Sequence, residues 1–256
     1  MTDSTVGGRP PVLVTGATGS SGQALWQALL RRVPARAMVR KPSDADRFVG
    51  AATDAAVADL DDATAVAAAL EGVERAYLVT PSSERAEAQQ VGFVEAAARV
   101  GVRHLVVLSQ LGAREDSPVR FLRYHAAVER RVRELGLGHT LADIGEVAAT
   151  VLTDDDPRDA TLTLTGPQAL THAEMAESLS AAVGRKIVFT DVSPEAFAAA
   201  LEGVLPPWQV AGLTEDYAHY RRGEAAEVSS AVRDVTERPP RPFDAFALDN
   251  AAAFSS

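Results

Sequence analysis

Pro11-Val12-Leu13-Val14-Thr15-Gly16-Ala17-Thr18-Gly19-Ser20-Ser21-Gly22 leads directly into the amphipathic run Gln23 to Leu30. A short apolar strand meets three glycines spaced three apart, and a helix begins at once. Gly16 allows a sharp turn where a side chain would clash. Gly19 lets backbone N–H groups come close to a diphosphate, and Gly22 lets the new helix pack on its strand. The helix N-terminus, with Thr18, Ser20 and Ser21 around it, then offers its partial positive charge to the phosphates. The stretch reads as a dinucleotide-binding turn.

The chain has 256 residues, enough for one good core and a small appended lobe. A formal net charge of -10 and a pI near 5.0 argue against nucleic-acid or anionic-membrane partners. With no cysteine, disulfides, thiolate metal sites and a cysteine nucleophile are all excluded. Residues 1–10 carry no apolar run like a signal peptide's, and no stretch reaches the length of a membrane span. A cytoplasmic location is expected. His104, His139, His172 and His219 are scattered without metal-ligand spacing, and Asp154-Asp155-Asp156 lacks the glycine and distal glutamate of a calcium loop.

Strand-like runs alternate with helical patterns over the first 140 residues or so. They predict strands at Val12–Thr15, Ala35–Val39, Ala55–Ala58, Ala76–Thr80, Arg103–Ser109 and Leu137–Leu141. Helices are expected near 22–32, 43–50, 62–70, 84–100 and 119–135. That order implies a doubly wound parallel sheet of the Rossmann type, an α/β fold. Beyond residue 150 the rhythm changes. Thr161–Thr165 and Lys186–Thr190 read as two more strands, around a helix opened by the capping box Thr171-His172-Ala173-Glu174. Ser193-Pro194 opens another helix, residues 206–222 read as helical, and a last helix is expected over 243–254. The division is drawn as a dinucleotide-binding domain over 1–141 and a smaller, mostly helical α/β substrate-side lobe over 142–256.

Taken with the strand ends, these motifs resemble the NmrA-like members of the atypical short-chain dehydrogenase/reductase superfamily. Thr15-Gly16-Ala17-Thr18-Gly19-x-x-Gly22 matches that family's opening. Val39-Arg40, Asp59-Leu60 and Leu108-Ser109-x-x-Gly112-Ala113 match the ends of its strands two, three and five. Leu164-Thr165-Gly166-Pro167-x-Ala169-Leu170-Thr171 resembles its second-lobe signature. The resemblance implies an NAD(P)H-dependent oxidoreductase that delivers hydride to a small carbonyl, enone or quinone. It also places Asp59 and Leu60 beside the adenine, and Thr80 and Pro81 at the nicotinamide ribose.

The end of strand two carries Arg40 and Lys41 where NAD-preferring sites usually hold a carboxylate. A guanidinium can grip a 2′-phosphate with two hydrogen bonds, so NADP(H) is expected over NAD(H). Asp61 and Asp62 read as residues at a helix start.

The chemistry departs from the superfamily in two places. Registering Glu129 with the family's helix puts His125 at the Lys position and Phe121 at the Tyr position of Tyr-x-x-x-Lys. No lysine lies between Lys41 and Lys186, so that pair is absent. His125, which family members also carry, is the candidate to hold the ribose and donate a proton, because imidazole titrates near neutrality. Tyr124, about 100° round the helix, is a second donor candidate, and Ser109 could orient substrate. Losing a positioned acid costs about 10²–10⁴ in rate, and quinone-like acceptors tolerate that loss best.

The second departure follows Leu141. Asp143-Ile144-Gly145-Glu146 opens a helix at once, where the family inserts several dozen residues roofing the substrate pocket. Apolar surface near Leu141 and Ser109 should therefore be exposed or covered by a protein partner. The expected partners are a small-molecule substrate and, at most, a second copy or such a covering protein. Two alternatives stay open: a cofactor-binding sensor without turnover, and a non-redox cyclase or isomerase on the same sheet.

Overall fold

The computed structural model describes residues 11–141, 145–156 and 159–254. They form two compact units that divide at Leu162 and Thr163, later than the 141/142 boundary drawn from the sequence.

The first unit is built on seven strands: β1 (Val12–Val14), β2 (Ala35–Val39), β3 (Thr53–Val57), β4 (Arg75–Leu78), β5 (His104–Val107), β6 (Gly138–Leu141) and β7 (Ala160–Thr161). Their order is β3-β2-β1-β4-β5-β6-β7, and every pairing is parallel. The chain therefore leaves β1 first toward one edge and later, from β4, toward the other. That reversal opens a crevice at the C-terminal ends of β1 and β4.

Six helices cross between the strands: α1 (Ser20–Leu29), α2 (Pro42–Ala45), α3 (Ala63–Ala69), α4 (Ala86–Val100), α5 (Arg120–Glu134) and α6 (Gly145–Thr153). Alternate strand residues point to opposite faces. Leu13, Leu78, Leu105 and Val107 pack with Val66 of α3, Phe93 and Val94 of α4, and Val128 and Val132 of α5 in one apolar cluster. On the opposite face α1 and α6 pack together. Asp62 caps α3, its side chain accepting from the N–H groups of Thr64 and Ala65. The helix expected over 43–50 shrinks to the single turn α2, because the chain must reach β3 through the Gly50–Thr53 bridge.

Contact with α1 assigns α6 to the first unit. Gly145, its first residue, lies so close to α1 that a Cβ there would sit 2.6 Å from the Leu25 backbone nitrogen and 2.9 Å from Ala24. Arg32, just past α1, bonds both Glu146 (2.8 Å) and Thr150 (3.2 Å) on α6. The Asp143 cap falls outside the described residues, and Glu146, expected to complete that cap, pairs with Arg32.

The second unit holds α7 (His172–Val183), α8 (Pro194–Leu201), α9 (Pro207–Arg221), α10 (Ala231–Thr236) and α11 (Phe243–Asp249), followed by a 3-10 turn over Ala251–Phe254. The capping box at Thr171 and the Ser193 cap form as the sequence indicates. Of the two further strands expected, Thr161–Thr165 survives only as the end of β7 and Lys186–Thr190 does not form. Residues 163–165 are irregular, the sheet ending at Thr161, and the Ser180 hydroxyl bonds both the N–H and the carbonyl of Ile187. The backbone groups that a ladder would pair are thereby satisfied by a side chain. Among the described residues, no helix is long and apolar enough to cross a membrane.

Two alanine substitutions should move stability in opposite directions. Gly145→Ala forces α6 off α1 and should lower stability by about 1–3 kcal/mol, several degrees in Tm. Gly92→Ala, in mid-α4 with nothing within 4 Å of its Cβ position, should raise stability by about 0.5–1 kcal/mol. Thermal melts of the two variants measure both effects.

Candidate functional site

The quoted glycines build the floor of the crevice. Thr15, buried, accepts from the Val79 N–H (2.8 Å) and donates to the Val79 carbonyl (2.9 Å), clipping the end of β1 to the end of β4. Gly16 then turns with φ +61, and a Cβ there would lie 2.5 Å from the Val79 side chain. The Gly19 N–H closes a tight turn on the Gly16 carbonyl at 2.9 Å. Gly22 sits on that same carbonyl, where a Cβ would come within 2.2 Å of the oxygen. Only glycine allows helix and turn to meet this closely.

Gly19 is the N-cap of α1 and offers no side chain to the first N–H groups of the helix. Those donors, with the exposed Thr18 and Ser20 beside them, face outward with the positive end of the helix dipole behind them. A diphosphate would satisfy them. The chain's own residues thus fit a dinucleotide.

Around this floor the structure sorts the other expected residues. Arg40 and Lys41, at the end of β2, are exposed, and their side chains make no hydrogen bond or ion pair among the described residues. Arg36, earlier on the same strand, is fully engaged with Asp54 and the carbonyls of Ala69 and Glu71. Asp59 is exposed and accepts from the Asp61 N–H at 3.0 Å, while Leu60 packs against the core. Asp61 is tied to Arg85 at 2.7 Å. Pro81 is exposed, and Thr80 accepts from the Nε2 of Gln90 at 2.8 Å.

The α5 face supplies the rest. Tyr124 and His125 are buried with their rings 4.1 Å apart, and the Tyr124 hydroxyl lies 3.4 Å from Ser82 Oγ. Phe121 is buried against Tyr124. Burial pushes the His125 imidazole down to about 4, and its Nδ1 has no partner among the described residues. That direction runs against the proton donor at neutral pH expected from the sequence, because burial penalises the charged ring. Ser109 donates to Glu129 Oε1 at 2.6 Å, and Glu129 Oε2 accepts from Arg133 at 2.9 Å. The apolar exposure expected at Leu141 concerns a side chain outside the described set.

Gln90, Glu129 and Ser82 complete the site and were not singled out as site residues in the sequence. A signal exists for two of them. Gln90 lies on the buried stripe Ala86-Gln90-Phe93-Ala97, and Glu129 on Phe121-His125-Val128-Glu129-Val132. A polar group on an apolar stripe needs a partner, which marks it as structurally or chemically engaged.

Sheet reversal, glycine floor and uncapped helix define a dinucleotide-binding α/β protein. A family model described as NAD(P)H-binding matches residues 16–183. The chain belongs to this NAD(P)H-binding family. It is 30% identical to an NAD(P)H azoreductase of Xenophilus azovorans, over 96% of this chain and 99% of the relative. It is 28% identical to a (4-alkanoyl-5-oxo-2,5-dihydrofuran-3-yl)methyl phosphate reductase of Streptomyces griseus, over 95% and 99%. The fold matches the crystal structure of an NADPH-dependent quinone oxidoreductase from Escherichia coli complexed with NADPH, with a TM-score of 0.82 at 22% identity, over 96% and 100% of the two chains. The azoreductase alignment extends over 284 positions, whereas 96% of 256 residues is about 246. About 38 positions of that relative therefore face no residue here.

The buried histidine makes a pH test. Above pH 6.5 the imidazole is neutral in both folded and unfolded chains, and its full contribution to stability is present. Between 6.5 and about 4 the unfolded chain takes up a proton that the folded chain refuses, so stability is lost as pH falls, by about 3 kcal/mol. His104, also pushed down to about 4, chiefly by burial, adds a second loss in the same window. His125→Asn should therefore flatten, without abolishing, the fall of Tm from pH 6.5 to 4. An unchanged slope would show that His125 titrates normally in the folded protein.

Proposed function

We propose that this chain is an NADPH-dependent reductase of the NmrA-like type, acting on a small conjugated acceptor such as an enone or quinone. The observation that carries the acceptor class is the burial of His125 without a partner for its Nδ1, beside a Ser109 hydroxyl bonded to Glu129. His125 is neutral at physiological pH and the Ser109 proton is committed to Glu129. No positively charged acid stands ready among these residues to protonate a carbonyl as hydride arrives. An azo group, an unsaturated lactone or a quinone spreads the incoming electron pair through its conjugation and can be protonated afterwards. The relatives named above, an azoreductase and a dihydrofuranone reductase, support that class.

The bound dinucleotide supplies the hydride. The chain's own residues do the remainder: the Gly19–Gly22 turn binds the diphosphate, and Arg40 with Lys41 neutralises the 2′-phosphate. Tyr124, whose hydroxyl lies 3.4 Å from Ser82 Oγ, is the proposed proton donor after hydride transfer. Unpaired cations at the end of β2, with no carboxylate among them, favour NADP(H) over NAD(H). A small molecule is the proposed partner, with a second copy of the chain or a covering protein the only macromolecular ones. A second reading, binding without turnover, draws on the neutral His125 and the shorter chain.

Mixing the protein with NADPH and a panel of enones and quinones should consume 340-nm absorbance, fastest with quinones. Tight binding without loss of absorbance would favour the second reading. NADPH at 100 times its Kd should add about 2.7 kcal/mol, or about 5–11 °C in Tm. Arg40→Ala should shrink that shift for NADPH much more than for NADH. Equal losses for both would contradict the 2′-phosphate assignment.

A further inference from the structure

Thr80 and Ser109 follow the C-terminal ends of neighbouring strands. The β4–β5 ladder pairs Leu78 with Val107, and the Leu108 N–H donates to the Leu78 carbonyl at 2.9 Å. Carried two residues on, that register sets Thr80 opposite Ser109, both side chains on the face covered by α4 and α5. Inside a ladder adjacent strands lie about 4.8 Å apart, and the bonds of Thr80 to Gln90 on α4 and of Ser109 to Glu129 on α5 keep both hydroxyls under that pair of helices.

Each hydroxyl is polarised by a buried side chain, in opposite senses. Gln90, 1% exposed, donates Nε2 to Thr80 Oγ1 and leaves its Oε1 without a partner. As placed, the amide leaves its oxygen and one N–H over; reversed, it would leave both N–H groups over. With its oxygen accepting, Thr80 has its own proton to give, and no acceptor takes it among the described residues. A carboxylate only accepts, so at 2.6 Å from Glu129 the Ser109 hydroxyl gives up its proton there and keeps lone pairs for a ligand. One hydroxyl donates and its neighbour accepts.

Dinucleotides lie across the crevice where strand order reverses. The 2′-phosphate end belongs over β2, where Arg40 stands, which leaves the nicotinamide end over β4 and β5. We propose that Thr80 and Ser109 read the nicotinamide carboxamide: Thr80 donates to its carbonyl oxygen, and Ser109 accepts from its N–H. Gln90 and Glu129 are the positioning residues that set these polarities. A planar group held at both atoms fixes the rotation of the ring, which a single hydrogen bond does not. The proposal rests on dinucleotide binding, not on the acceptor class.

Calorimetry on the full chain tests it without turnover. NADP⁺ should bind about five- to tenfold more tightly than its 3-acetylpyridine analogue, which keeps the carbonyl and loses the N–H. Ser109→Ala should bring the two within about twofold. Thr80→Val should weaken both ligands alike and leave their ratio intact. Glu129→Leu, which frees the Ser109 proton, should tighten the nicotinic acid analogue. The affinity for 2′-phospho-ADP-ribose, which has no nicotinamide, should stay constant throughout and so report scaffold damage. Equal affinity of the wild-type chain for NADP⁺ and the acetylpyridine analogue overturns the proposal, as does a ratio that survives Ser109→Ala. Repeating the pair with NAD⁺ and its acetylpyridine analogue keeps the test valid if the 2′-phosphate reading fails, since the ratio does not involve Arg40.

Discussion

The contact between Gly22 and the Gly16 carbonyl is the constraint on which the rest of the molecule depends. It brings the first turn of α1 down onto the loop that leaves β1, closer than any side chain permits. Two consequences follow. The uncapped N–H groups of α1 are aimed over the crevice rather than into a neighbouring element. The body of α1 is also set at a fixed height over the sheet, and α6 is laid against it through Gly145 and the Arg32 pairings with Glu146 and Thr150. One close approach thus positions both the binding floor and the helix that completes the opposite face. Thr15 holds the floor's other side to β4, and the crevice cannot widen without breaking that clip.

Along the C-terminal edge of the sheet, polarity is organised more by orientation than by net charge. His125 is neutral because it is buried without a countercharge. The charge of Glu129 is shared between Ser109 and Arg133. Gln90 orients Thr80 through a neutral amide. Two exposed cations, Arg40 and Lys41, stand apart at the end of β2. Under the proposed reading, such a site would hold an anion at one end and present fixed dipoles at the other. Fixed dipoles suit recognition and alignment of a ring, with proton delivery left to hydroxyl groups.

The sequence was most readable where local sterics decide the outcome. The glycine spacing, the apolar strand runs and the Thr171 and Ser193 caps each rest on rules that act within a few residues, and the structure follows them. The second unit was harder to read because its irregular segments are decided by distant partners. Lys186–Thr190 has strand-like composition, yet the Ser180 hydroxyl satisfies Ile187 and no neighbouring strand reaches it. The candidate site divides the same way. Backbone positions such as Gly16, Gly19 and Gly22 were evident, as were the exposed Arg40 and Lys41. The state of His125 was not, since its residue type suggests a group titrating near neutrality and only the packing of α5 removes it from water. The partners of Ser109 and Thr80 come from α5 and α4, and spacing along one strand cannot reveal a bond made between elements.

Backbone amide resonances give the most direct view of the glycine floor. Titrating the nitrogen-15-labelled chain with NADP⁺ should move the signals of Gly19, Ser20 and Ser21 first and farthest, since their N–H groups would meet the diphosphate. Saturable binding that leaves those three signals unmoved would contradict the account at its root.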